Sequence, residues 1–200
     1  MYRAYDLNEG REVAWNQIRI SNLDDSELTR ITEEISLLKQ LHHPNIINFV
    51  SGWFDDEKRE CVIITEIFPG GCLKKHLMKI QNPRLKLVKF WIREILKGLR
   101  YLHSEVSPPI IHRDIKCENI FIDPSQRTVK IGDLGYSCIL KNSYAKSFAG
   151  TKEFMAPEVV QGKYTFLADI YSLGMCILEM VTNEKPYKEC DNIMIIYENV

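Results

Sequence analysis

Two short runs constrain this chain more than its composition does: IIHRDIKCENIFI, Ile110 to Ile122, and KIGDLG, Lys130 to Gly135. In the first, an Asp, a Lys two positions on and an Asn three beyond that lie between β-branched segments. That is the layout of a tight loop projecting polar side chains into a cleft. The second places another Asp 19 residues after Asp114, and A-P-E follows at Ala156 to Glu158. Any one of these residues alone would be an ordinary loop charge. Their joint spacing is far more specific.

The residue types fit phosphoryl transfer. That reaction needs an acid to orient an attacking hydroxyl and a cation beside the moving phosphoryl group. It also needs an amide with a second carboxylate to hold Mg²⁺ against the phosphates. Asp114, Lys116, Asn119 and Asp133 offer these in order.

At 200 residues, 45% apolar and net charge −1, the chain has material for a sizeable core, and its balance disfavours nucleic acid or an anionic membrane as main partner. The six cysteines are scattered without a CxxC pair, as in a reducing compartment. The opening MYRAYDLNEGRE has no apolar signal core, and Glu179 interrupts the longest apolar run, so a cytoplasmic location is expected. Adjacent His42 and His43 diverge along the chain and lack a third ligand, so they read as structural.

Patterning predicts strands at Tyr2–Leu7 and Arg11–Ile18 around the turn Asn8-Glu9-Gly10, then a helical stripe over Leu28–Leu41. A second strand pair is expected at Ile46–Trp53 and Cys61–Ile67. Pro69-Gly70-Gly71 then breaks the chain. Beyond it, helices are predicted at Leu73–Ile80 and Leu87–Ser104, with a buried helix, apolar all round, at Phe166–Thr182. Lys141–Thr151 is polar and aperiodic, a candidate regulatory segment.

With these residues placed, the chain resembles a protein kinase, and more narrowly the with-no-lysine (WNK) serine/threonine kinases. The deciding phrase is EVAWNQI: Asn16 stands where most kinases carry the strand-three Lys. IITEIF, IKCENIFI, KIGDLG, EFMAPE and LGMCILEM are similar to the same family. The resemblance implies an α+β, two-lobed fold, with residues 1–68 as a small β-rich lobe and 69–200 as a mostly helical one. It implies ATP and Mg²⁺ as cofactors, protein substrates (other kinases among them), and oligomers formed for trans-phosphorylation.

By position, the resemblance makes Asp114 the catalytic base, Lys116 the cation, and Asn119 and Asp133 the Mg²⁺ ligands. Thr65 becomes the gatekeeper, Glu66 to Phe68 the adenine hinge, and Glu34 the acid of the regulatory helix. Ser147 and Ser143 are implied phosphorylation sites, with Arg113 reading the phosphate. Thr151 buttresses the catalytic Asp, Asp169 anchors its loop, and Glu158 closes the A-P-E motif. Leu38, Phe49, His112 and Leu134 suit a stacked apolar column. The family's chloride site would use the amides of Leu134 and Gly135, walled by Phe49 and Ile63.

Several positions depart from the family. Tyr136 stands at a usual Leu and Lys152 at a usual Pro. The chain opens where the family has the end of its second strand, so the glycine-rich loop and its compensating cation are expected to be missing and activity weak or absent. It closes before the helices that would supply an Arg to Glu158, and a labile fold is expected. The alternative reading is a truncated pseudokinase acting as a binding module.

Overall fold

In the computed structural model, residues 2–19, 35–36, 38–123, 125, 127–134, 151–160 and 165–190 are described. Strands β1 (Tyr2–Asp6), β2 (Arg11–Arg19), β3 (Phe49–Asp55) and β4 (Glu60–Glu66) form one antiparallel sheet in the order β1-β2-β4-β3. The β1–β2 turn closes where Asp6 Oδ1 accepts the amides of Asn8 and Glu9, and Gly10 takes φ +64°. That left-handed value suits glycine.

Each face of the sheet collects its own apolar group. Ile35, Cys61 and Ile63 pack with Phe49 and Phe54, and Val13, Val62 and Ile64 pack with Trp15 and Val50. The period-two alternation of β4 produces this division.

The expected strand from Ile46 starts instead at Phe49. Ile46 makes a lone parallel bridge to Ile131, and the amide of Ile47 donates to the Ile131 carbonyl at 2.8 Å. An apolar run reads as strand wherever its partner lies, and this partner is 85 residues away in the chain. The second strand runs Glu60–Glu66 rather than Cys61–Ile67.

After the sheet, Gly70 lies against strand β5 (Ile120–Asp123): a Cβ there would fall 1.7 Å from the Ile122 carbonyl oxygen. Only glycine fits so close an approach. Helix α1 (Leu73–Ile80) buries Leu73 and Leu77 and ends at Gln81 with φ +54°. Helix α2 (Leu85–Arg100) starts earlier than its apolar stripe suggested, just after Pro83, and buries Val88, Trp91, Ile95 and Leu99. Its predicted last turn is a wide one, Tyr101–Glu105, closed by the Val106 amide on the Tyr101 carbonyl.

Strand β6 (Thr128–Ile131) pairs with β5 in a two-stranded sheet under the cleft. A short helix α3 (Pro157–Val160) follows the 3-10 turn Lys152–Phe154. Helix α4 (Leu167–Thr182) buries Ala168, Asp169, Ser172, Leu173, Cys176, Glu179 and Met180.

The expectation that α4 is buried all round is corrected. Leu167, Ile170, Leu178 and Val181 are exposed, because no described residue covers that side. Composition alone reports how apolar a helix is and not which side is covered. The predicted helix at 28–41 and the segment 141–150 lie largely outside the described residues. Among the described residues, no helix is long and apolar enough to cross a membrane.

Candidate active site

A cleft of about 340 Å³ opens between the four-stranded sheet and the β5–β6 hairpin. Strand β2 contributes Ala14 and Asn16, and β4 contributes Ile63, Thr65 and Glu66. Ile67, Phe68, Gly71, Cys72 and Lys75 continue the wall, and Asn119, Phe121, Asp133 and Leu134 form its base. Asn16 pairs with Ile63 across the ladder, so the position of a strand cation is held by a neutral amide. Of the described residues lining the cleft, Lys75 alone is a lysine or arginine.

Asp114 does not line the cleft but is tied to it through Asn119. The Asn119 side-chain amide donates to Asp114 Oδ2 at 2.9 Å and to the Asp114 carbonyl at 2.8 Å. Lys116 Nζ lies 2.6 Å from Asp114 Oδ2 and also donates to Thr151 Oγ1 at 2.9 Å. The Thr151 hydroxyl and amide reach Asp114 Oδ1 at 3.1 and 3.2 Å. Four predicted residues thus meet in one network. Burial works against ionising Asp114, but Lys116, helped by His112 and Asn119, holds the carboxyl below its ordinary value.

Asp133 sits at the cleft base with φ +63°. This is a strained conformation for a residue with a side chain. Its side chain meets solvent on the cleft side, yet the protein crowded behind it pushes the carboxyl upward. The charge of Asp114 adds to this, against the influence of His112 and Lys116. No described residue forms a hydrogen bond or ion pair with the Asp133 carboxylate.

A divalent cation fits here. Asn119 directs its amide NH₂ at Asp114, which leaves Oδ1 as a donor atom beside the uncompensated Asp133. Two oxygen ligands of this kind suit Mg²⁺ held jointly with phosphates rather than in an all-protein cage. Among the described residues, no group of three His, Cys, Asp or Glu could hold a metal by itself.

The loop carrying Asp114 is fixed from beneath. Asp169, fully buried, accepts the amides of His112 and Arg113 at 2.8 Å each and meets His103 Nε2 at 2.7 Å. Arg113 itself takes φ +70°. His112 is fully buried, with Nε2 2.8 Å from the Gly132 carbonyl, so it links this loop to the turn holding Asp133. Leu38 and Leu134 share the main core, with Phe49 packed against it.

Phe49, Ile63 and Leu134 also line the cleft together. Glu158 lies in the first turn of α3, half-buried. Glu34, Ser143, Ser147, Gly135 and Tyr136 lie outside the described residues.

Three partners went unpredicted. Lys130 pairs with Glu66 and stands 5.7 Å over the Phe68 ring, and Glu66 also accepts the Asn48 amide at 2.8 Å. Alternation on β6 shows that Lys130 points away from the core that Val129 and Ile131 enter, but not which residue it meets. His103 of the wide turn binds Asp169, and buried Glu179 of α4 pairs with Lys74. Burial works against charged Lys74, but Glu179 outweighs it and holds the ammonium above its ordinary value.

A protein kinase domain model matches residues 1–200. Two Arabidopsis thaliana proteins are similar over all of the chain: the serine/threonine-protein kinase WNK8, 47% identical, and the probable serine/threonine-protein kinase WNK10, 46% identical. The chain spans 36% and 38% of their respective lengths. With the Asp114–Lys116–Asn119–Thr151 network beside Asp133, and Asn16 where a strand lysine would stand, the chain belongs to the protein kinase family, in its WNK branch.

Proposed function

We propose that the chain carries the catalytic site of a serine/threonine protein kinase that moves the γ-phosphoryl group of ATP to a protein hydroxyl. The observation that carries this is the Asp114 carboxylate, held ionised by Lys116 and aimed by Asn119 and Thr151 at the end of a nucleotide-sized cleft. In this reading Asp114 accepts the proton of the acceptor hydroxyl at Oδ1 or Oδ2, and Lys116 lies beside the transferring group. Thr65 and the 66–68 segment border the adenine, and Asn119 and Asp133 would hold Mg²⁺. The ion supplies charge neutralisation between the phosphates.

The finer assignments belong to the same proposal. Residues 1–68 and 69–200 act as two lobes, Glu34 is the acid of the regulatory helix, and Ser143 and Ser147 are the phosphorylated serines read by Arg113. Leu134 and Gly135 offer amides to chloride between Phe49 and Ile63, a role supported by the shared cleft position of three of these residues. Protein substrates, other kinases among them, a cytoplasmic location and trans-phosphorylating oligomers complete it. The pseudokinase alternative is disfavoured, because a scaffold has no chemical need for the intact acid–cation–amide set.

The test is phosphate transfer from γ-labelled ATP to a mixed Ser/Thr peptide pool, with Asp114→Ala as the comparison. Loss of a general base is worth about 10²–10⁴-fold. Equal transfer by both proteins overturns the assignment.

A further inference from the structure

Residues 73–100 hold nine of the chain's 26 lysines and arginines but a single one of its 27 aspartates and glutamates, Glu94. On α2 the exposed residues are Lys86, Lys89, Arg93, Lys97 and Arg100, together with Leu85 and Leu96. The five cations recur at spacings of three and four, so they share one face, opposite the buried Val88, Trp91, Ile95 and Leu99. From Lys86 to Arg100 they form a stripe about 21 Å long at about 1.5 Å per residue. Leu85 and Leu96 lie three turns apart along one flank of it, 62% and 42% exposed.

Helix stability does not account for the stripe. Like charges at these spacings repel, and cations in the first turns oppose the helix dipole. The first turn of α2 contains no acid. Lys97 is paired with Glu94 and Arg100 with Glu105, whereas Lys86, Lys89 and Arg93 form no ion pair with any described residue. The charge is therefore unspent within this part of the fold.

The chemistry of the stripe selects among anionic partners. An interfacial membrane helix inserts its apolar face, and here that face is buried in the protein core. Bases are stacked by aromatic side chains or read by amides, and no exposed residue of α2 is either. Leucines bordering cations fit a peptide that alternates acids with an apolar side chain.

We propose that the outer face of α2 is a docking surface for an acidic segment of a partner protein, whose carboxylates follow Lys86, Lys89 and Arg93 and whose apolar residues cover Leu85 and Leu96. This stands apart from the phosphotransfer reading, since none of these residues lines the cleft.

The test is binding of a labelled peptide of repeated Glu-Glu-Leu-Glu units to the full chain at near-physiological salt, compared with poly-Glu, phosphatidylserine vesicles and duplex DNA. The triple variant Lys86→Gln, Lys89→Gln, Arg93→Gln is expected to bind the Leu-containing peptide about tenfold more weakly. Leu85→Ser with Leu96→Ser should abolish its advantage over poly-Glu. A control variant, Lys58→Gln with Arg59→Gln and Lys188→Gln, should bind as the unaltered chain does. Absent peptide binding, an unchanged triple variant, or tighter binding to vesicles or DNA than to the peptide overturns the proposal.

Discussion

Replacing Asp169 with Asn keeps the shape of the side chain and removes half of its acceptor capacity. Oδ1 accepts the Arg113 amide, and Oδ2 serves both the His112 amide and His103 Nε2, with Asp169 and His112 fully buried. With the Asn oxygen kept on Arg113, its NH₂ faces the His112 N–H, donor against donor. His103 adapts by presenting its ring nitrogen as an acceptor, but the amide has no such choice. One buried backbone donor is then orphaned, at about 1–3 kcal/mol, and charge-assisted bonds become neutral ones. A total near 3 kcal/mol corresponds to about 6–12 °C in Tm for a chain of this size. Thermal unfolding by circular dichroism measures it. The loss should be accompanied by weakened phosphotransfer, because the displaced amides belong to the loop carrying Asp114. A Tm within about 1 °C of the unaltered protein would refute the reasoning.

Other perturbations separate the remaining interactions. Lys130→Met removes the cation shared by Glu66 and Phe68, and is expected to raise the KM for ATP several-fold with a smaller change in kcat. Steady-state kinetics over ATP concentration checks the split. The Asp114 carboxyl is held low in the fold, so its contribution to stability is present above about pH 4 and is lost as pH falls through the folded value. In Lys116→Met the main compensation is gone, so the Tm difference from the unaltered protein should be largest near neutral pH and shrink towards pH 3. Lys74→Met leaves the buried Glu179 carboxylate without its cation, at about 3–5 kcal/mol. The double variant with Glu179→Leu should recover much of that in urea denaturation. Cys61, Cys117 and Cys176 are buried, whereas Cys72 and Cys190 are half-exposed. Iodoacetamide on the native protein, read by peptide mass, should therefore label the second pair before the first three.

Legibility from sequence followed the kind of chemistry involved. The grouping of Asp114, Lys116 and Asn119 was readable from their spacing on one loop, and the loop does bring Lys116 and Asn119 within 3 Å of Asp114. Helix α1 matched its predicted bounds, with apolar Leu73 and Leu77 one turn apart. The start of β3 was misread because Ile46 and Ile47 look like strand to any local pattern, while the Ile46 amide bonds the His43 carbonyl and the Ile47 amide that of Ile131. The coverage of α4 and the pairing of Lys130 with Glu66 were hidden for the same reason. Both depend on what a distant segment places opposite, and periodicity carries no information about that.

The carboxylates around the cleft are not equivalent, and their differences point to where a divalent cation would be held. Glu66 is neutralised by Lys130 and bonded by the Asn48 amide. Asp114 is neutralised by Lys116 and bonded by Asn119 and Thr151. Asp133 alone of these three has no paired cation and no donor among the described residues, so no bonded partner offsets the burial and the Asp114 charge that push its carboxyl up. A site that disfavours its own charge is one that an incoming cation relieves, so binding of Mg²⁺ with ATP should release a proton from Asp133 as pH approaches its raised value. Asn16 sharpens the point: with a neutral amide where a strand cation would stand, less positive charge competes with the ion for the phosphates. Calorimetry of MgATP binding in buffers of different ionisation enthalpy measures the proton release directly. Asp133→Asn should remove both the release and the Mg²⁺ dependence of nucleotide binding. Proton release that survives in this variant would place the metal on other residues.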